Sequence, residues 1–142
     1  MLIFQNNTLE ELYIHAEEEY PGECCGVLLG ERKNGQRLAG SIVKMANSAD
    51  EAHVREHFAL DPLEIAKIEI SAEQEQFEVV GFYHSHPDVD AYASDEDALH
   101  MIAGYSYPII SVKNGNCVNI RSFTKKRQND IDAQEEILIR EK

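Results

Sequence analysis

The apolar positions of this chain change period several times, and each change marks a new element. Leu9, Leu12 and Ala16 recur at helical spacing. They predict a helix from a Thr8 cap to about Tyr20, ended by Pro21-Gly22. The run from Cys25 to Arg32, with GVLLG near its start, reads as a buried strand. Asn34-Gly35 is a strong hairpin turn, and the return strand covers about Gln36 to Asn47. After the polar stretch NSADEAHVRE, Glu56 to Leu60 reads as another short strand. Asp61-Pro62-Leu63-Glu64 is a helix start, with Asp61 as cap, Pro62 in the first turn and Glu64 reaching back. That helix is predicted to run to about Gln76. Phe77 to Tyr83 (FEVVGFY) reads as a central strand delivering His84-Ser85-His86-Pro87. Ser94 to Ala103 is a third predicted helix, closed by Gly104. Tyr107 to Val112, the turn Asn114-Gly115 and Cys117 to Phe123 form a second hairpin, and the tail EEILIRE reads as a strand in preference to a short helix. The expected architecture is α/β: a mixed, largely antiparallel sheet with about three helices.

Composition narrows the picture. A chain of 142 residues suits one domain spanning residues 1–142, and 43% hydrophobic residues can supply a core. No apolar run approaches the roughly 20 residues needed to cross a bilayer, so no membrane role is expected. The opening MLIFQNNTLEEL carries neither a basic leader nor a small-residue cleavage site, which makes the cytoplasm the expected compartment. Acidic residues outnumber basic ones 26 to 13, for a formal charge of −13. Nucleic-acid binding, which draws on Lys and Arg contacts to phosphate, is therefore not expected. Lys125, Lys126 and Arg127 form the only basic cluster, read as a solvated loop. Cys24, Cys25 and Cys117 make a poor disulfide framework and are expected to be reduced thiols, the first two packed in a core.

The chemistry concentrates in His84-Ser85-His86-Pro87, followed by Ser94 and Asp97. Side chains two apart on a strand share a face, so His84 and His86 can present both rings to one point while Ser85 points away toward a structural hydrogen bond. Pro87 leaves the pair at the carboxyl end of its strand. Imidazole nitrogen and carboxylate oxygen both ligate zinc, and three protein ligands leave a fourth position for water, as in catalytic zinc sites. Ser94 and Asp97 equally fit a Ser-x-x-Asp capping box that needs no metal, and the two readings are compatible. His53 and His57 are read as non-ligands. Other His-x-His metal families fit poorly. Val89 stands where a metallo-β-lactamase needs histidine, Asp88 and Asp90 stand where a cupin would have glutamate, and an amidohydrolase barrel needs a longer chain.

The whole string His-Ser-His-Pro, six residues, Ser, two residues, Asp resembles the JAMM motif of MPN-domain metalloproteases. Pro21 to Gly30 (PGECCGVLLG) is similar to the surroundings of that family's glutamate, and Gly104 to Val112 (GYSYPIISV) to a later segment of bacterial and archaeal members. The resemblance covers about residues 1–123; Ala93 departs from the proline common before the serine. It implies a curved mixed sheet flanked by helices, similar to the cytidine deaminase scaffold. It implies one zinc ion held by His84, His86 and Asp97, Glu23 as general base toward the zinc-bound water, and Ser94 as an oxyanion donor. It further implies hydrolysis of a peptide or isopeptide bond after the Gly-Gly terminus of a ubiquitin-like protein. Because the long insertions of eukaryotic deubiquitinases are missing, the expected partner is a ubiquitin-like sulfur carrier. A non-catalytic MPN-type scaffold and a zinc hydrolase of a small amide are the alternatives.

Overall fold

The computed structural model describes residues 1–47 and 60–141. Among the described residues eight strands form a single sheet: β1 Leu2–Phe4, β2 Cys25–Lys33, β3 Gln36–Met45, β4 Glu78–Pro87, β5 Tyr107–Lys113, β6 Asn116–Thr124, β7 Gln134–Glu136 and β8 Leu138–Arg140. Their order is β7-β6-β5-β4-β2-β3-β1-β8. The two edge strands are consecutive in the chain, with only Ile137 between them, and the Ile137 carbonyl accepts from Leu2 N at 2.9 Å. The sheet is thereby nearly closed. Three helices complete the described residues: α1 Thr8–Glu19, α2 Pro62–Gln74 and α3 Asp95–His100. The expected mixed sheet with three helices is the one found. No helix among the described residues is long and apolar enough to cross a membrane.

Local chemistry explains most boundaries. Asn34 and Gly35 both take positive φ (53° and 75°), the conformation of a two-residue hairpin turn. Asn114 and Gly115 do the same between β5 and β6. Asp61 caps α2 by accepting from Leu63 N at 2.9 Å. Several expectations need correction. Thr8 is not a cap but the buried first residue of α1, preceded by Asn7, which makes no side-chain cap bond. Glu64 does not reach back to the cap; it lies 3.7 Å from Lys67. The third helix stops at His100 rather than Ala103. β1 is an additional element, made short by Gln5-Asn6-Asn7, of which Asn6 has positive φ. Residues 56–59 of the expected short strand, and His53 and His57, lie outside the described residues.

The sheet separates two apolar layers. On one face α1 contributes Leu9, Leu12 and Ala16 to a cluster with Leu28, Val80, Tyr83 and Ile110. The other face holds Val27, Val79, Phe82, Met101 and Ile109, covered by Ile65 and Ile68 of α2. Val79 and Phe82 share the second layer although they are three positions apart, which strict alternation forbids. A register irregularity in the pairing of β2 with β4, where Leu28 faces Gly81 and Leu29 faces Val79, supplies the extra residue. Beyond it, Phe82, His84 and His86 share one face and Tyr83 and Ser85 the other. The bulge thus decides which layer receives the histidines.

Candidate metal centre

The site forms where the carboxyl end of β4 meets the amino end of β2. Antiparallel pairing sets Cys25 opposite His84, so Glu23, just ahead of β2, arrives beside both imidazoles. The junction is pinned by two bonds from Cys24 to Ser85: Ser85 N donates to the Cys24 carbonyl at 3.1 Å, and Cys24 N donates to Ser85 Oγ at 2.8 Å. Ser85 has the structural role expected of it. After Pro87 the chain doubles back, and α3 brings Asp97 over the strand end.

His84 Nε2 and His86 Nε2 lie 3.2 Å apart. Asp97 Oδ2 lies 3.2 Å from His86 Nε2, and Asp97 Oδ1 lies 3.3 Å from His84 Nε2. Ligand atoms about 2.0–2.1 Å from one ion at the tetrahedral angle stand about 3.3–3.4 Å from each other. Each of the three separations is close to that spacing, with one Asp97 oxygen facing each ring. His86 Nδ1 lies 3.0 Å from the Asp90 carbonyl, which can only accept. In the neutral ring the proton is thus on Nδ1, and the Nε2 lone pair faces the centre. Ligand-type atoms of Glu23, His84 and His86 all fall within 4.8 Å of one another.

Asp97 serves two structures at once. Its Oδ2 accepts from Ser94 N at 3.0 Å, while Asp97 N donates to Ser94 Oγ at 3.0 Å, a complete capping box. The helix cap and the ligand reading coexist, because the carboxylate that closes the box is held against the imidazoles by it.

The electrostatics follow from burial. Glu23 is only 6% exposed, and its Oε2 is buried without a hydrogen-bond partner among the described residues. Burial raises its pKa to about 7, helped by the Asp97 and Glu96 charges and opposed by His86. Burial lowers the His84 pKa despite the neighbouring Asp97. Burial also pushes His86 down, but its bonds to Asp97 and the Asp90 carbonyl, with the Asp97 and Glu23 charges, carry it above its ordinary value. Asp97 is desolvated too, yet its bonds to His84 and His86 hold it well below the usual carboxylate range. Imidazole and carboxylate acceptors facing one another, beside a buried carboxylate oxygen with no partner among the described residues, fit a bound divalent cation.

The cluster opens into a cleft of ≈ 880 Å³, lined also by Ser94, Tyr92, Phe82, Ile65 and Ile102. The Tyr92 and His86 rings meet in a T-shaped contact with centroids 5.4 Å apart. Two contributors escaped the residue pattern. Asp90 acts through its backbone carbonyl, which no side-chain motif reveals. Lys125, expected in a solvated loop, is 5% exposed and donates to the Ala98 carbonyl at 3.0 Å. Cys24 and Cys25 are buried free thiols in the two core layers and Cys117 is a half-buried one; burial raises all three to about 12.

The family described as prokaryotic homologs of the JAB domain matches residues 5–125. The chain belongs to the prokaryotic JAB family. The JAMM/MPN resemblance of the HSHP segment and its surroundings is thereby shown. Among relatives of this JAB chain, a protein of Haloferax volcanii named desampylase is 35% identical over 107 residues, covering 72% of this chain and 74% of its own length. Tail tip assembly protein K of Escherichia phage N15 is 32% identical over 93 residues, 66% of this chain but only 33% of that protein. A solved structure from Desulfitobacterium hafniense has a TM-score of 0.83 at 30% identity, over 99% of this chain and 93% of its own. One from Salinibacter ruber has a TM-score of 0.73 at 26% identity, over 97% and 90%. A JAB1/MPN domain protein from Archaeoglobus fulgidus, 14% identical with a TM-score of 0.61 over 100% and 98%, shares the fold.

Proposed function

We propose that this protein is a zinc-dependent peptidase or isopeptidase that cleaves after the Gly-Gly terminus of a ubiquitin-like protein, with a sulfur carrier as the preferred partner. The observation that carries the reading is that Asp97 faces His84 Nε2 at 3.3 Å and His86 Nε2 at 3.2 Å through its two carboxylate oxygens, the two nitrogens being 3.2 Å apart, beside the buried Glu23. The similarity to desampylase supports a hydrolase acting on a ubiquitin-like modifier. His84, His86 and Asp97 would hold the zinc ion. When bound there, the ion would supply Lewis-acid activation of water and of the scissile carbonyl.

The chain's own residues would do the rest. Glu23, with a pKa raised to about 7, is suited to take the proton of the attacking water and pass it to the leaving amine. Ser94 Oγ accepts one bond from Asp97 N and keeps its own proton to donate. That hydroxyl is suited to the oxygen charge that develops at the scissile carbonyl. The cleft beside the cluster gives an extended tail room to lie, where backbone hydrogen bonds would supply affinity.

The test is incubation of the zinc-loaded protein with a ubiquitin-like carrier extended beyond Gly-Gly, followed by mass spectrometry. Cleavage after the second glycine, abolished in His84→Ala, supports the reading. An intact substrate with a zinc-loaded enzyme would contradict it. A scaffold without activity predicts that same intact substrate with a chain that binds no zinc.

A further inference from the structure

Asp97 sits on a helix of only six residues whose buried side chain is Ala98. So short a helix has little intrinsic stability, and its position must come from elsewhere. Besides the Ser94–Asp97 box and the core packing of Met101, a row of polar side chains on the distant β6 strand and its exit holds it. Lys125 Nζ donates to the carbonyl of Ala98, the residue immediately after Asp97, at 3.0 Å. Gln128 Nε2 donates to the Met101 carbonyl at 3.1 Å, and its Oε1 accepts from Ala103 N at 3.0 Å. Arg121 donates to the Ala91 carbonyl at 3.2 Å, just before the helix, and is itself held by Glu135 of β7 at 2.6 and 3.0 Å.

We infer that Lys125 is a positioning residue for the metal centre, with Gln128 and Arg121 as lesser braces on the same segment. The inference rests on the metal reading above. Burying an ammonium is costly unless its hydrogen bonds repay it. The Ala98 carbonyl is where this one is spent, at the end of the helix where a cation also suits the exposed carbonyls. Removing that donor lets the helix end shift, and a shift there moves the Asp97 carboxylate relative to two imidazoles that β4 holds fixed. A metal site is sensitive to such a change, because groups that orient ligands affect affinity about as strongly as 10–100-fold.

The experiment measures Zn²⁺ affinity by competition with a chromophoric chelator and records the visible absorption of the Co²⁺-loaded protein. Lys125→Met should weaken Zn²⁺ binding about tenfold and alter the Co²⁺ bands. Lys125→Arg, which keeps a donor, should recover most of the affinity. Leu12→Ala in the opposite core layer controls for lost stability and should bind Zn²⁺ like the unaltered chain. If Lys125→Met does not fold, Gln128→Met, at an exposed position, should still weaken binding severalfold. Unchanged affinity in the folded Lys125 or Gln128 variant, or an equal loss in Leu12→Ala, overturns the inference. Failure of the unaltered protein to bind Zn²⁺ at all overturns the metal reading itself and this inference with it.

Discussion

Ser94 and Asp97 each bond the other's backbone amide at 3.0 Å, and the same Asp97 Oδ2 that closes this box lies 3.2 Å from His86 Nε2. The start of α3 is therefore a device for aiming a carboxylate. Ser94→Ala should cost about 1 kcal/mol of stability through the lost cap. It should also slow turnover by about 10²–10³ if Ser94 donates to the oxyanion. Chemical denaturation and steady-state kinetics on one preparation separate the two effects: a stability loss with unchanged kcat would leave Ser94 a cap alone.

Glu23→Gln keeps the shape of the side chain and removes the base. The variant should bind zinc with unaltered stoichiometry and lose about 10²–10⁴ in kcat, the usual worth of a positioned general base. Metal analysis beside kinetics checks it. Turnover equal to the parent protein removes Glu23 from the mechanism.

Gly81 marks the bulge that turns the histidines toward the cleft. A Cβ added there would meet the Ser106 carbonyl oxygen at 2.2 Å, a backbone atom that also accepts from Phe82 N. Gly81→Ala should destabilise the fold by about 1–3 kcal/mol, as overpacking does, and should weaken zinc binding because β4 shifts. Denaturation midpoints and metal affinity of the variant test this. A variant as stable as the parent would mean the bulge is not held by this close approach.

His15 provides a pH dependence of stability. Its Nδ1 lies 2.7 Å from the Tyr83 hydroxyl, and burial lowers its pKa below the ordinary value, with Lys44 acting the same way and Glu19 and Glu18 opposing. The unfolded chain takes up the proton near pH 6.5, before the folded chain does. The His15 contribution is thus complete above about 6.5 and declines as pH falls toward the lower folded value. Buried Glu23, raised to about 7, acts in the opposite sense over this range. The His15 effect is therefore read as a difference: between pH 7.5 and 5.5 urea midpoints should decline more, or rise less, in the parent than in His15→Gln. An equal change in the variant would assign the acid sensitivity to other groups.

Much of this was legible in the residues. Positive-φ turn pairs at Asn34-Gly35 and Asn114-Gly115 announced both hairpins, and the spacing of His84, His86, Ser94 and Asp97 announced the cluster the fold brings together. What the pattern did not carry is long-range. β1 is three residues long, too short for any period to register, and exists because β3 and β8 offer it partners on either side. The bulge near Gly81 depends on a contact with Ser106 that no local pattern contains. The Asp90 carbonyl is backbone, present at every position. Lys125 reads as a surface charge until the helix end it supports is folded against it.

In the proposed mechanism His84, His86 and Asp97 share one divalent ion. Metal analysis of purified protein dialysed against trace Zn²⁺ tests it most directly. One zinc per chain is expected, falling to near zero in His84→Ala and in Asp97→Ala while circular dichroism shows both variants folded. A folded parent protein free of zinc, or variants that retain it in full, would contradict the account.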